Sequence, residues 1–193
     1  MSVLALTSET FNYADYLSWP EEERWELIDG IPHAMSPGPT RKHQRLSMQL
    51  SVLIGGFLQG SKCSVFAAPF DVRLPLMEEV DEEIDTVVQP DLVVYCDTSK
   101  LDEKGGKGAP DWVIEILSPS TAKKDQTVKT MLYQRHGVQE YWIVDPEREG
   151  VQVFRRDETG NRFGIPQTYE GEVVVSPLLF PDLKVKLTEL FAE

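Results

Sequence analysis

Cysteine is nearly absent: the 193 residues contain two, Cys63 and Cys96, with no C-x-x-C pair and no mixed Cys/His cluster. A zinc site or a disulfide framework finds no support in that spacing, and buried reduced thiols in two separate apolar segments are the expectation. Long hydrophobic runs are missing too. The start, "MSVLALTSETF", holds a four-residue apolar run without a basic flank, and no later run approaches membrane-spanning length. That predicts a cytoplasmic protein with no membrane partner. No phosphate-binding glycine loop and no serine nucleophile elbow occur. Positive charge is also short. The chain has 19 Lys and Arg against 32 Asp and Glu, a formal net charge of −13, and such a field repels nucleic acid unless basic groups concentrate locally.

What is present is ordinary globular material. Hydrophobic residues make up 41%, enough at this length for one domain, residues 1–193, with a core of its own. A short helix is expected around Tyr13 to Leu17, then a strand through Trp25 and Leu27, with Asp29-Gly30 as a hairpin turn. Thr40 caps a helix over 41–59 in which Leu46, Leu50, Leu53 and Phe57 form an apolar stripe. "CSVFAAPFDVRLP" reads as one strand, the acids from Glu78 to Asp85 as a solvated loop, and "VVQPDLVVYCD" as a strand that Pro90 enters or edges. "TSKLDEKGGKGAPD" reads as a mobile loop. The strand "DWVIEIL" follows, then a second helix with a capping Ser or Thr and Gly137 as its stop, and finally the strands "QEYWIVDP" and "GVQVFRRD" as partners. The tail supplies one or two strands and a helical turn. The order predicts an α/β (α+β) fold, a mixed β-sheet flanked by helices with an N-terminal β-hairpin.

Glu115 is out of place in this pattern. Alternation puts Trp112, Ile114 and Ile116 on one face of its strand and Val113, Glu115 and Leu117 on the other, so a carboxylate stands between apolar neighbours. Unpaired burial is costly, and the acid needs a cation, a donor or a cleft. Asp91 follows Pro90 one strand earlier. If the two strands are neighbours, Asp91 and Glu115 converge at one sheet edge, and with the Ile116 carbonyl they suit Mg2+, or Mn2+, at roughly 2.0–2.1 Å. A lysine two residues after the glutamate would complete the set, but position 117 is leucine. Lys129 is the substitute on the following helix, with Asp125 one turn before it.

Pro90-Asp91 followed by Glu115-Ile116-Leu117 resembles a PD-(D/E)xK nuclease site whose lysine has moved to the next helix. More specifically, "WELIDGIPHAMSP", "QPDLVVYC", "APDWVIEILSPST" and "DQTVKTMLYQRHGVQEYWIVDP" are similar, in order and spacing, to the Uma-two family of restriction endonucleases. The resemblance implies a restriction-endonuclease-like fold, divalent-metal dependence and a DNA phosphodiester substrate. It maps Asp91 and Glu115 onto metal-binding acids and Lys129 onto the displaced lysine. Glu26 and His43 fall on further motif positions near the site.

Other readings stay open. Glu115 can be a structural acid paired with Lys129 or Arg135, Lys129 can pair with Asp125 on a solvated face, and His43 can be a half-buried, hydrogen-bonded histidine. Tyr133 reads as packing. Arg41, Lys42 and Arg45 contact phosphates or form a solvated helix end. A DNA-binding or protein-interaction module that keeps the fold without turnover is the alternative function, and RNA or a small phosphodiester the alternative substrate. An enzyme cutting opposed strands commonly works as a two-fold dimer, which makes a homodimer the assembly to test.

Overall fold

The computed structural model describes residues 9–20, 23–35, 38–118 and 124–192. The residues expected to cap the second helix at 120–121, together with Pro119, Lys123, Glu21 and Glu22, lie outside them. In chain order the elements are α1 (Tyr13–Tyr16), β1 (Trp25–Ile28), β2 (Ile31–Ala34), α2 (Arg41–Leu58), β3 (Ser64–Ala67), β4 (Val72–Arg73), β5 (Val87–Val88), β6 (Leu92–Tyr95), β7 (Leu101–Asp102), β8 (Gly105–Lys107) and β9 (Trp112–Ile116). A π-helical turn (Asp125–Lys129) leads directly into α3 (Thr130–His136), followed by β10 (Glu140–Asp145), β11 (Gly150–Arg155), β12 (Gln167–Glu170), β13 (Val174–Val175), β14 (Val185–Lys186) and α4 (Leu187–Phe191). The strands form two six-stranded sheets, ordered β2-β1-β5-β4-β8-β7 and β12-β11-β10-β9-β6-β3, and a two-stranded ladder of β13 and β14.

β9 is the centre of the second sheet, antiparallel to β6 and parallel to β10. Alternation along it sorts the core as the sequence predicts. Trp112, Ile114 and Ile116 join Trp142 and Val144 under Leu46, Leu50, Ile54 and Leu58 of α2 and Leu187, Leu190 and Phe191 of α4. Val113 and Leu117 face the other way, toward Leu132 and Tyr133 of α3 and toward Ile28, Val72 and Val88 of the first sheet. The sheet carrying Glu115 is therefore covered on both sides, and every residue of β9 is buried.

Several expectations are corrected. The single strand predicted across 63–74 divides at Pro69, which has no amide hydrogen to extend a ladder, so β3 pairs with β6 while β4 joins the other sheet beside β5 and β8. The mixed sheet becomes two. In α2 the buried row is Leu46, Leu50, Ile54 and Leu58, whereas Leu53 and Phe57 are 38% and 42% exposed: the helix lays its i, i+4 ridge on the sheet rather than alternating steps of three and four. The Lys/Gly-rich loop is an ordered hairpin of β7 and β8. Gly106 is there for close approach, because a Cβ on it would stand 2.2 Å from the Tyr95 hydroxyl. Arg73 is fully buried, its guanidinium held by Asp81, Asp102 and the Gly106 carbonyl, so Asp81 of the acidic loop is a counterion, not a solvated side chain alone. The Asp29-Gly30 turn forms as expected, both residues taking positive φ (52° and 74°).

Cys63 and Cys96 are not reduced thiols but a disulfide. They flank the Ser64↔Tyr95 pair of β3 and β6, so the strand register brings together two cysteines that sequence spacing leaves unrelated. Non-reducing peptide mapping is expected to recover a Cys63–Cys96 crosslinked peptide and no free thiol. With the cysteines separated by 33 positions in the sequence, reduction is expected to lower the free energy of unfolding in urea by about 3–4 kcal/mol.

Candidate active site

Asp91 and Glu115 come together because their strands are adjacent. Leu92 pairs with Ile114, which sets Asp91, just before β6, beside the end of β9. There the Ile116 amide donates to Asp91 Oδ2 at 2.7 Å. His43, on the first turn of α2, places Nε2 3.2 Å from the same oxygen. Burial pushes the His43 pKa down, but the hydrogen bond to Asp91, the Asp91 charge and the Ile116 carbonyl outweigh it, and the net shift is upward.

The opposite wall is built on the π turn. Lys129 and Asp125 both point inward, and Lys129 Nζ lies 2.6 Å from Glu115 Oε1, 2.8 Å from Glu26 Oε1 and 3.7 Å from Asp125 Oδ1. Glu26 arrives from β1 of the other sheet, fully buried, and also binds Lys124 Nζ at 2.6 Å and the Gln89 amide at 3.2 Å. Tyr133 donates to Glu115 Oε1 at 2.7 Å, so it has a polar role beyond its ring contact with Tyr141.

One ammonium is thus shared by three acids. Burial alone would raise Glu26, yet Lys129 and Lys124 overcome it and hold its carboxyl down at about 2. Among the described residues Glu115 has no second cation: burial, with Asp125, Asp91 and Glu26 nearby, pushes it up to about 8 against the pull of Lys129. Lys129 itself is buried, which disfavours its charge, but Glu115, Glu26 and Asp125 drive its pKa well above the ordinary lysine value. It stays an ammonium, able to donate hydrogen bonds and stabilise charge but not to accept a proton.

All six residues singled out from sequence, Glu26, His43, Asp91, Glu115, Ile116 and Lys129, line one cleft of about 790 Å³. Lys124, Gln89 and Tyr133 complete the network; Gln89, immediately before Pro90-Asp91, had a signal in its position, while Lys124 and Tyr133 had none beyond helical spacing. The basic group at the start of α2 is divided: Lys42 sits 3.7 Å from Glu149, and Arg45 binds the Phe191 and Ala192 carbonyls. Arg135 pairs with Asp29, not with Glu115.

Asp91 Oδ1 and Glu115 Oε2 accept no hydrogen bond from a described residue. Among the described residues no three His, Cys, Asp or Glu side chains form a metal cage. Mg2+ keeps several waters and is commonly held by one or two carboxylates with substrate phosphate completing the shell, so this donor set fits a hard divalent ion.

The mixed-sheet α+β fold has a counterpart of known structure. The chain superposes with a TM-score of 0.73 on the crystal structure of "a putative nuclease belonging to DUF820" from Anabaena variabilis, over 92% of this chain and 96% of that one at 24% identity, a likeness of fold. Residues 13–188 match the model of the family described as "Uma2: Putative restriction endonuclease", and the chain belongs to that family. It is also 28% identical over 150 residues, 76% of this chain and 75% of the relative, to the "Uncharacterized protein slr1290" of Synechocystis sp..

The uneven sharing of Lys129 makes the two glutamates respond oppositely to neutralisation. Ionised Glu26 contributes stability that is present above its unfolded pKa near 4.5 and lost as pH falls toward 2. Glu115, with its pKa raised to about 8, opposes folding increasingly as pH rises from 4.5 toward 8, because the folded chain keeps a proton that the unfolded chain gives up. In urea titrations at neutral pH, Glu26→Gln is expected to lose roughly 3–5 kcal/mol, as for a broken buried pair, whereas Glu115→Gln leaves stability unchanged or raises it.

Proposed function

We propose that the protein is a divalent-metal-dependent nuclease that hydrolyses DNA phosphodiesters in this cleft. The observation that carries the reading is the convergence of Asp91, Glu115 and Lys129, from two strands and a helical turn, with one oxygen of each acid left without a described protein donor. Asp91, Glu115 and the Ile116 carbonyl would hold Mg2+ or Mn2+. Bound there, the ion supplies Lewis-acid stabilisation of phosphoryl charge and acidifies water.

The chain's own residues do the rest. Lys129, fixed by Glu26 and unable to lose its proton, orients the attacking water and stabilises charge developing on the phosphoryl oxygens. Tyr133 keeps Glu115 in one rotamer. The Ile116 amide and His43 hold Asp91 so that its remaining oxygen is directed by the end of β9. Arg24 and Lys124 line the same cleft as Lys129, among the acids Glu26, Asp91, Glu115 and Asp125, so basic donors are within reach of a phosphodiester bound there.

A non-catalytic module with this fold is the second reading, favoured by the engagement of Glu115 Oε1 by Lys129 and Tyr133. It requires that no divalent ion binds. Isothermal calorimetry with Mn2+ separates the two: binding that disappears in Glu115→Gln supports the nuclease, and no heat with wild type removes it. With purified protein and supercoiled plasmid, Mg2+- or Mn2+-dependent nicking is expected. Lys129→Met is expected to slow nicking by about 10²–10³-fold. Glu115→Gln, which does not damage folding, is expected to abolish it, and equal nicking by that variant would remove the proposal.

A further inference from the structure

A second cavity, about 460 Å³, adjoins the cleft on the far side of the π turn. The strand ladders define how the two are related. Glu115 pairs with Ile143, Ile143 with Gln152, and Gln152 with Thr168, so these four side chains form one row across β9, β10, β11 and β12 on the same face of the sheet. At the usual strand spacing Gln152 lies about 10 Å from Glu115 along that row, the reach of one nucleotide from its phosphate to its base edge. Gln126, next to Asp125 on the π turn, faces the cavity from the other side.

The chemistry of the lining is that of a base, not of a phosphate. The side chains of Gln126, Gln152 and Thr168 make no hydrogen bond to any described residue. They are neutral donor–acceptor groups converging on one space, floored by Ile143 and Leu117. The charges around them are one arginine, Arg148, 3.8 Å from Asp145, and the acids Asp145 and Glu170. That balance disfavours a phosphate and favours a neutral ring bearing an amino group, which an amide can grip at two points and a carboxylate can accept from.

We infer that this cavity is a nucleobase subsite that takes an amino-bearing base, adenine, cytosine or guanine but not thymine, from a nucleotide adjoining the scissile phosphate, with Gln126, Gln152 and Thr168 as its reading groups. The inference rests on the nuclease reading for its place in the reaction, but not for binding itself. The base enters single-stranded or turned out of the duplex, where its hydrogen-bonding edge is exposed.

The deoxynucleosides of adenine, cytosine and thymine, added at millimolar concentration to the full chain without metal, test it by proton–nitrogen NMR of the side-chain amides. Deoxyadenosine or deoxycytidine is expected to shift the Gln126 and Gln152 amides saturably, with thymidine at least about fivefold weaker, and Q152A to weaken binding by a similar factor while its spectrum stays dispersed. No saturable shift, or equal shifts with thymidine, overturns the subsite. Mapping cut positions on random-sequence DNA supplies the second arm: a base preference beside the cut that flattens in Q152A supports it, and one that is unchanged overturns it. Failure of the wild type to cut counts against the catalytic reading alone, since the nucleoside titration still decides the cavity.

Discussion

The ammonium of Lys129 is the contact on which the rest of the site depends. Three acids from three different parts of the chain meet it: Glu26 from the first sheet, Glu115 from the second, Asp125 from the π turn. Taking such groups out of water together is unfavourable unless each finds a partner, and a single cation cannot satisfy three carboxyl groups equally. Lys124 and the Gln89 amide settle the division by taking part of Glu26. Glu115 is left undercompensated, and its second oxygen accepts no hydrogen bond from a described residue.

The same contact ties the two sheets together. Glu26 belongs to the hairpin that opens the chain, and its only polar partners among the described residues are Gln89, Lys124 and Lys129. Without that carboxylate the π turn would have no fixed relation to β1, and Lys129 would be held by Glu115 and Asp125 alone. A π-helical turn places one more residue per turn than an α-helix tolerates comfortably and is commonly kept where function requires it. Here it ends at the lysine and carries the cleft's wall on one side and Gln126 on the other.

Much of this was readable before any coordinates. The period-two alternation around Glu115 and the Pro90-Asp91 entry to β6 are local signals, and local signals survive folding. Lys129 was reachable only by asking which cation the next helix could bring, and Glu26 and His43 only through their motif positions. What was not legible depends on contacts between distant strands. The Cys63–Cys96 bond follows from the pairing of β3 with β6, Arg73 is buried because Asp81 and Asp102 come to it from two separate loops, and the division of 63–74 between two sheets turns on one proline. Gly106 reads as flexibility in a sequence and acts as clearance for Tyr95 in the structure; nothing in the stretch itself distinguishes the two.

Leucine at position 117 fits a site whose cation arrives from the π turn and not from the strand. On the face shared with Glu115, just beyond the end of β9, residue 117 is 8% exposed, belongs to the core beneath α3 and forms part of the wall of the second cavity. A lysine there would put an ammonium among Val113, Leu132 and Ile143 or send it into that cavity, away from Glu26. Delivering the cation from the π turn instead brings it to Glu115 from above, where Glu26 and Asp125 can hold it, and leaves 117 free to be an apolar boundary. An apolar residue at 117 and a cation on the π turn go together: with no charge on that part of the strand, the carboxylate cluster stays on one side of the turn and the uncharged row of Gln152 and Thr168 on the other.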